Sequence, residues 1–278
     1  MQIETLAEKA RTLRALHRPG DPVVFFNAWD AVSARILEKL GVPAIATSSA
    51  AIAWAEGFAD GQHISRERML AGVERVTSAV RVPVTADAEG AYGLEVQDAA
   101  QTARGVIDAG AVGLNFEDAV TGGVDDIGHM CARIAAMAET GQQLGVPLLI
   151  NARTDVFLDR IGPDDAWRLN EAIERGKRFL QAGAACIFVP GVSDERTIEA
   201  LAKEIHGPLN VLANASTPPV RRLAELGVAR VSVGGAAIAH ALSHFRSAAA
   251  KTLADGTFEF TADRISHADL NALFVPKA

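Results

Sequence analysis

The sequence predicts an α/β protein folded as one (β/α)8 TIM barrel, and three observations predict it. Eight short apolar runs recur along the chain, with helical patterns between them. Five of the helical stretches close on a glycine just before the next run: Leu40-Gly41-Val42-Pro43, Ala109-Gly110-Ala111, Leu144-Gly145-Val146-Pro147, Ala182-Gly183-Ala184 and Leu226-Gly227-Val228. Glycine suits the left-handed residue just past a helix end. No Pro/Ser-rich linker or low-complexity tract interrupts the series. Strict alternation of strand and helix with short links implies a parallel sheet with right-handed crossovers. Eight such units in 278 residues favour a closed barrel over an open doubly wound sheet.

In order, the chain opens on MQIETLAEKARTLRALH, an amphipathic helix pattern rather than an apolar signal core. The first run, VVFFNAW, leads to a helix over 31–40, and the second, AIATSS, to one over 65–79. VPVTADAE precedes a helix over 95–109, and VGLNFED one over 126–144. LLINART, ACIFVPG and LNVLANAS precede helices over 164–182, 194–205 and 217–227. ARVSVGG is the eighth run, followed by a helix over 235–254. Each run is short and apolar enough to be a buried strand. The tail after Asp255-Gly256 is extra to the barrel and can pack on a neighbouring subunit. The domain organisation expected is one barrel domain over 1–278, with an N-terminal helix and a C-terminal helical tail.

Hydrophobic residues make up 49% of the chain, enough for a large core. The formal net charge of −7 is spread along the sequence without a basic stripe, which argues against nucleic acid as a partner. An anionic substrate then needs a local arginine. No apolar run approaches the roughly 20 residues of a membrane span. The two cysteines, Cys131 and Cys186, lack metal-ligand spacing and read as buried free thiols of a reducing compartment. A cytoplasmic protein without a membrane partner is expected. The seven histidines share no spacing suited to a metal and read as surface or interface residues.

Barrel active sites lie at the carboxyl ends of the strands. The run ends carry Asn27 and Asp30, Ser48 and Ser49, Asp87 and Glu89, Glu117 and Asp118, Asn151 and Arg153, Pro190, Asn214 and Ser216, and Gly234 and Gly235. Four acids from two strands thus aim at one rim. Residues two apart on an extended segment share a face, so Asp87 and Glu89 can point together and Glu117 can join them from the next strand. Carboxylates so close repel and protonate unless a cation sits among them. An all-oxygen set with room for water suits Mg2+, or Mn2+ in its place. The alternative is that these acids cap helices or pair with Arg153. Arg153 can bind a carboxylate bidentately or stabilise developing charge, or pair with Asp155 or Glu117. Ser48-Ser49-Ala50 can present backbone N–H groups to an anion or cap the next helix. Val233-Gly234-Gly235-Ala236 is either a phosphate cradle or a tight turn.

The stretches FNAWDAVSARILEKLG, AIATSSAAIAWAEGFADG, PVTADAEGAYG, GLNFED, LLINARTD and VLANAS resemble the phosphoenolpyruvate mutase/isocitrate lyase superfamily along almost the whole chain. The resemblance implies a (β/α)8 barrel whose last helix is swapped between subunits of a dimer or tetramer. It implies Mg2+ on Asp87, with Asp60, Glu89 and Glu117 acting partly through water. It places a 2-oxo carboxylate against Ser48, the backbone of Ser49 and Ala50, and Arg153, with Asn214 nearby. The common chemistry is making or breaking a bond beside an enolate.

The sequence also departs from the family. The lyase lid carries K-[KR]-C-G-H, whereas this chain reads EDAVTGGVDDIGHMCARIAAM. Either IGHM slides under the C-G-H of the lid, with Ile127 where the cysteine belongs, or the lid is short, DDIGHMCARIAA starts the next helix and Cys131 is a helix residue; the lid cysteine is missing in both. The mutase lysine and asparagine of this loop are missing as well, and Pro190 stands where relatives often place a polar residue. Tyr92, Asp60 or water is left to supply a proton. The expected function is a Mg2+-dependent carbon–carbon lyase, of decarboxylation or retro-aldol type, on small 2-oxo or 2-hydroxy di- or tricarboxylates. The alternatives are carbon–phosphorus chemistry on phosphonopyruvate, or a 2-oxo-acid-binding protein with little catalysis.

Overall fold

The computed structural model describes residues 3–275. The first helix, α1 (Ile3–Ala15), leads into β1 (Val23–Phe25), α2 (Ala31–Lys39), β2 (Ile45–Ala46), a short α3 (Ser49–Ala55), α4 (Arg66–Ala79), β3 (Val84–Asp87), α5 (Val96–Asp108) and β4 (Gly113–Glu117). A two-stranded hairpin of β5 (Ala119–Val120) and β6 (Gly123–Val124) follows. Then come α6 (Ile127–Gln143), β7 (Leu149–Arg153), α7 (Asp165–Gln181), β8 (Cys186–Phe188), α8 (Glu195–Ile205), β9 (Leu209–Leu212), α9 (Val220–Glu225) and β10 (Arg230–Ser232). The chain finishes on α10 (Ala236–Asp255), a 3-10 turn at Glu259–Asp263 and α11 (His267–Ala272).

Eight strands form one parallel sheet in the order β1-β10-β9-β8-β7-β4-β3-β2. The two outer strands, β1 and β2, meet through a parallel bridge between Ala28 and Thr47, so the sheet closes on itself. Asn27 stitches this seam: its Nδ2 donates to the Thr47 carbonyl at 2.6 Å, and its Oδ1 accepts from the N–H groups of Val233 and Gly234 at 3.2 and 2.9 Å. The amides of Val233 and Gly234 are therefore occupied, and this part of the turn helps to close the barrel.

The helix ends follow from local chemistry. Gly41, Gly110, Gly145, Gly183 and Gly227 all take positive φ, as the recurring glycines require. Asp30, Asp126, Asp164 and Asp194 each accept from the backbone N–H three residues on and start α2, α6, α7 and α8. Outward strand residues such as Leu114, Phe116, Ile150 and Ile187 join helix residues such as Val73, Ala103, Met137 and Phe179 in one apolar cluster.

The amino-terminal end of the barrel is plugged by α1. Leu13 is fully buried, and a Cβ on Gly113 would lie 2.8 Å from its Cδ2. Only glycine at the start of β4 lets the plug seat. Just past α1, His17 is buried, not a surface residue as its isolated place in the sequence suggests. Its Nδ1–H donates to the Leu13 carbonyl at 2.8 Å. Cys186 is buried and its thiol is pushed up to about 12 by burial, so it is inert. Cys131 is only half-buried on α6, a correction to the expectation of two buried thiols.

Candidate active site

Side-chain alternation decides what faces the barrel's interior. On β4, Leu114 and Phe116 join the outer core, whereas Asn115 is tied to interior partners and Glu117 meets Arg153 of β7. Asp87, at the end of β3, is held by three donors. Its Oδ2 accepts from the Ser49 backbone N–H and from Ser49 Oγ, both at 2.9 Å, and its Oδ1 accepts from Asn115 Nδ2 at 3.2 Å. All three are neutral, so no cation of the described protein touches this buried carboxylate. Ser48 N-caps α3 through the Ala51 N–H. That helix start sets Ser49 beside Asp87, with Ala50 next in its first turn.

Glu89 follows in a loop with unusual backbone. Glu89, Ala91 and Tyr92 all lie in the left-handed region, at φ 47, 68 and 57°. Each costs on the order of 1–2 kcal/mol, strain that concentrates at functional sites. The conformation lets Glu89 accept from the Tyr92 hydroxyl at 2.9 Å and from the Gln62 N–H at 2.7 Å. The Gln62 side chain in turn accepts from the Tyr92 N–H at 2.6 Å.

Arg153 is shared by two acids. Its Nη1 lies 2.6 Å from Glu117 Oε2 and its Nε 2.6 Å from Asp155 Oδ1. Burial opposes its charge, but the carboxylates of Glu117 and Asp155 outweigh burial and hold it above its ordinary range. The guanidinium is thus fully compensated, whereas the acids are not. Burial pushes Glu117 up to about 8, because Arg153 offsets only part of it while Asp155, Asp87 and Glu89 add repulsion. Burial also pushes Glu89 up to about 7, helped by Asp87 and Asp60. Tyr92 is raised above its ordinary value by burial and by the charges of Glu89, Asp87 and Glu117.

Asp87, Glu89, Glu117, Asp155 and the exposed Asp60 therefore act on one another, with Arg153 as the cation paired among them. This surplus of hard oxygen donors fits a divalent cation. Among the described residues no three His, Cys, Asp or Glu side chains already surround a common point suited to a metal. A cation gripped directly by one carboxylate and reached by the others through water is compatible with that spacing, since Mg2+ usually keeps several waters.

Two strand-end residues behave otherwise than expected. Asp118 does not join the rim. It is fully buried, accepts from the Asp155 N–H at 2.9 Å and pairs with Arg175 Nη1 at 3.0 Å. Being next to Glu117 on an extended segment, it points the other way. Asn214 is exposed and folded on its own turn, accepting from the Ser216 N–H at 2.8 Å, while its own N–H donates to Thr217 Oγ1 at 2.8 Å. Asn115, Thr47 and Gln62 were not singled out in the sequence, whereas Asp155 and Glu117 are the partners the sequence offered for Arg153.

The loop after β4 is short, as the sequence implied. Only the β5–β6 hairpin separates Glu117 from α6, and it carries no cysteine. It is fastened from below. Arg175 Nη1 also donates to the Asp125 carbonyl at 2.9 Å, and the Asp125 N–H donates to the Asp118 carbonyl at 2.7 Å. Arg133, buried over Phe116, donates to the carbonyls of Gly90 and Gly93, both at 2.6 Å, and so ties α6 to the Glu89 loop.

Comparison with known proteins adds three findings. The phosphoenolpyruvate phosphomutase family profile matches residues 13–253. Among curated relatives, oxaloacetate decarboxylase of Rhodopseudomonas palustris is 26% identical, covering 95% of each chain, and 2-methylisocitrate lyase of Escherichia coli K12 is 25% identical, covering 77% of this chain and 73% of its own. Among solved structures, a Burkholderia cenocepacia J2315 protein provisionally named a lyase/mutase superposes with a TM-score of 0.89 at 35% identity, covering 98% of each chain.

Proposed function

The chain belongs to the phosphoenolpyruvate phosphomutase family, and from that premise we propose that it is a Mg2+-dependent carbon–carbon lyase. Its substrate is a small 2-oxo or 2-hydroxy di- or tricarboxylate, cleaved by decarboxylation or retro-aldol chemistry. The observation that carries this reading is the surplus of buried carboxylates on neighbouring strand ends around a single arginine. The named relatives cleave carbon–carbon bonds, which supports the bond class.

Asp87 would hold the cation directly, with Glu89, Glu117 and Asp60 placed to bind its waters. When bound there, a divalent cation supplies the Lewis acidity that stabilises an enolate. Arg153 orients the substrate carboxylate, exchanging part of its present pairing for it. The Ser48-Ser49-Ala50 turn lines the same side, and Asn214 stands at the outer edge. The Tyr92 hydroxyl, kept protonated and aimed at Glu89, is the proton carrier nearest the acids. The short hairpin without a cysteine favours decarboxylation, which asks mainly for an electron sink, over retro-aldol cleavage, which also needs a base and an acid.

Self-association is part of the proposal. The long helix α10 buries only Ala237 and Ile238, while Leu242, Phe245 and Leu253 are exposed. With Phe258 and Phe260 of the tail, Phe245 and Leu253 line an apolar groove of about 850 Å3. An exposed apolar surface of this kind suits a second copy of the chain, in a dimer or tetramer.

The test is turnover of oxaloacetate, 2-methylisocitrate and 2,3-dimethylmalate with and without EDTA. The proposal expects at least one to be cleaved, with activity lost to EDTA and restored by Mg2+. Metal-independent turnover, or none of any oxo acid, contradicts it. Phosphate released from phosphonopyruvate instead would favour the carbon–phosphorus reading.

A further inference from the structure

The barrel interior holds a cation that the proposed chemistry does not use. Arg230 of β10 is fully buried, and among the described residues no carboxylate lies within ion-pair distance of it. Its Nη2 donates to Asn115 Oδ1 at 3.1 Å, its Nη1 faces His17 Nε2 at 3.5 Å, and its Cζ lies 4.6 Å from the Phe25 ring centroid. Its Nε has no protein partner. Removing such a charge from water costs several kcal/mol, and an apolar side chain of like volume would fill the space more cheaply. A directional task is the physical reason to place a guanidinium there.

Asn115 shows what that task is. Its Oδ1 accepts from Arg230 and also from Asn151 Nδ2 at 2.8 Å, so both lone pairs are in use. Turning the amide over would set its NH2 group against two sets of donors. The amide is therefore locked with Nδ2 toward Asp87 Oδ1, while Ser49 grips Oδ2.

The geometry points to Arg230 as a positioning residue for the cation site: it fixes the Asn115 amide, which fixes the plane of the Asp87 carboxylate. This rests on the reading that Asp87 holds the cation. Hydrogen-bond partners behind a metal ligand typically change affinity by about 10–100-fold.

The experiment is a double-mutant cycle on Mn2+ binding, read by electron paramagnetic resonance of free Mn2+, with thermal melts as a folding control. Arg230→Met is expected to fold and to weaken Mn2+ binding about 10–100-fold. Asn115→Leu should do the same, and the double variant should bind no worse than Asn115→Leu alone. A general disturbance of packing would give additive losses. If Arg230→Met fails to fold, Arg230→Lys, which keeps the buried charge, takes its place in the cycle, with a smaller loss that again vanishes in the Asn115→Leu background. Unchanged affinity in the Arg230 variant, or additive losses, overturns the positioning role and leaves the cation reading standing. A wild-type protein that takes up no Mn2+ overturns both.

Discussion

His17 sets an acid limit on stability, and the size of the effect follows from its surroundings. The ring is buried, its Nδ1–H is committed to the Leu13 carbonyl, and its other nitrogen faces Arg230. Burial, followed by the charge of Arg230, moves it from an ordinary 6.5 to about 3, with Arg14 adding a smaller push and the Leu13 carbonyl opposing. The folded protein therefore stays neutral at this position when the unfolded chain takes up a proton. Stability from this group is complete above about 6.5 and is lost as pH falls toward 3. At pH 5 the unfolded state has gained about 1.5 pKa units of proton binding, worth about 2 kcal/mol. In His17→Leu the hydrogen bond is gone at every pH, but this acid-dependent loss is gone too. Urea unfolding of both proteins at pH 7.5 and pH 5.0 measures it. The gap between wild type and variant should shift by about 2 kcal/mol in the variant's favour at pH 5. A gap that stays constant within about 0.5 kcal/mol would show that His17 is not held neutral, and the buried contact with Arg230 would be wrong.

Three further outcomes are expected. Arg175→Met strands the buried Asp118 carboxylate and should cost about 3–5 kcal/mol in urea unfolding, with faster amide exchange in the β5–β6 hairpin; a loss below about 1 kcal/mol would mean the pair does not fasten the loop. Tyr92→Phe should lower turnover of the accepted oxo acid by about 10²-fold or more while leaving Mn2+ affinity within a few-fold, as removal of a proton carrier does; unchanged turnover would exclude the hydroxyl from the chemistry. Because burial raises Glu89 and Glu117 to about 7 and 8, cation uptake near neutral pH should release protons and weaken as pH falls. Calorimetry in buffers of different ionisation enthalpy counts them, and a count of zero contradicts a cation among these carboxylates.

Much of the frame was legible because local chemistry writes it. A glycine at positive φ can end a helix wherever it stands, and Gly41, Gly110, Gly145, Gly183 and Gly227 did so. The acids of the rim were legible because Asp87 and Glu89 lie two apart at the end of an apolar run. Asp118 misled because its neighbour Glu117 shares its chemistry but not its face. The outward pair Leu114 and Phe116 carried the signal that would have separated them. His17 and Arg230 were not legible as partners. They lie 213 residues apart, and their meeting depends on α1 plugging the barrel, which no local pattern encodes. Asn115 was hidden inside a run that read as plain buried strand, although it lies two residues before the rim side chain Glu117; Asn151, legible at a run end beside Arg153, turns out to be its partner.

The most direct test of the cation-dependent site is Asp87→Ala, followed by calorimetric titration with Mg2+ and Mn2+ and by assay of whichever oxo acid the wild-type protein cleaves. Both ion uptake and turnover are expected to disappear while the melting profile stays cooperative. A variant that still takes up the ion and turns over substrate at the wild-type rate would contradict that site.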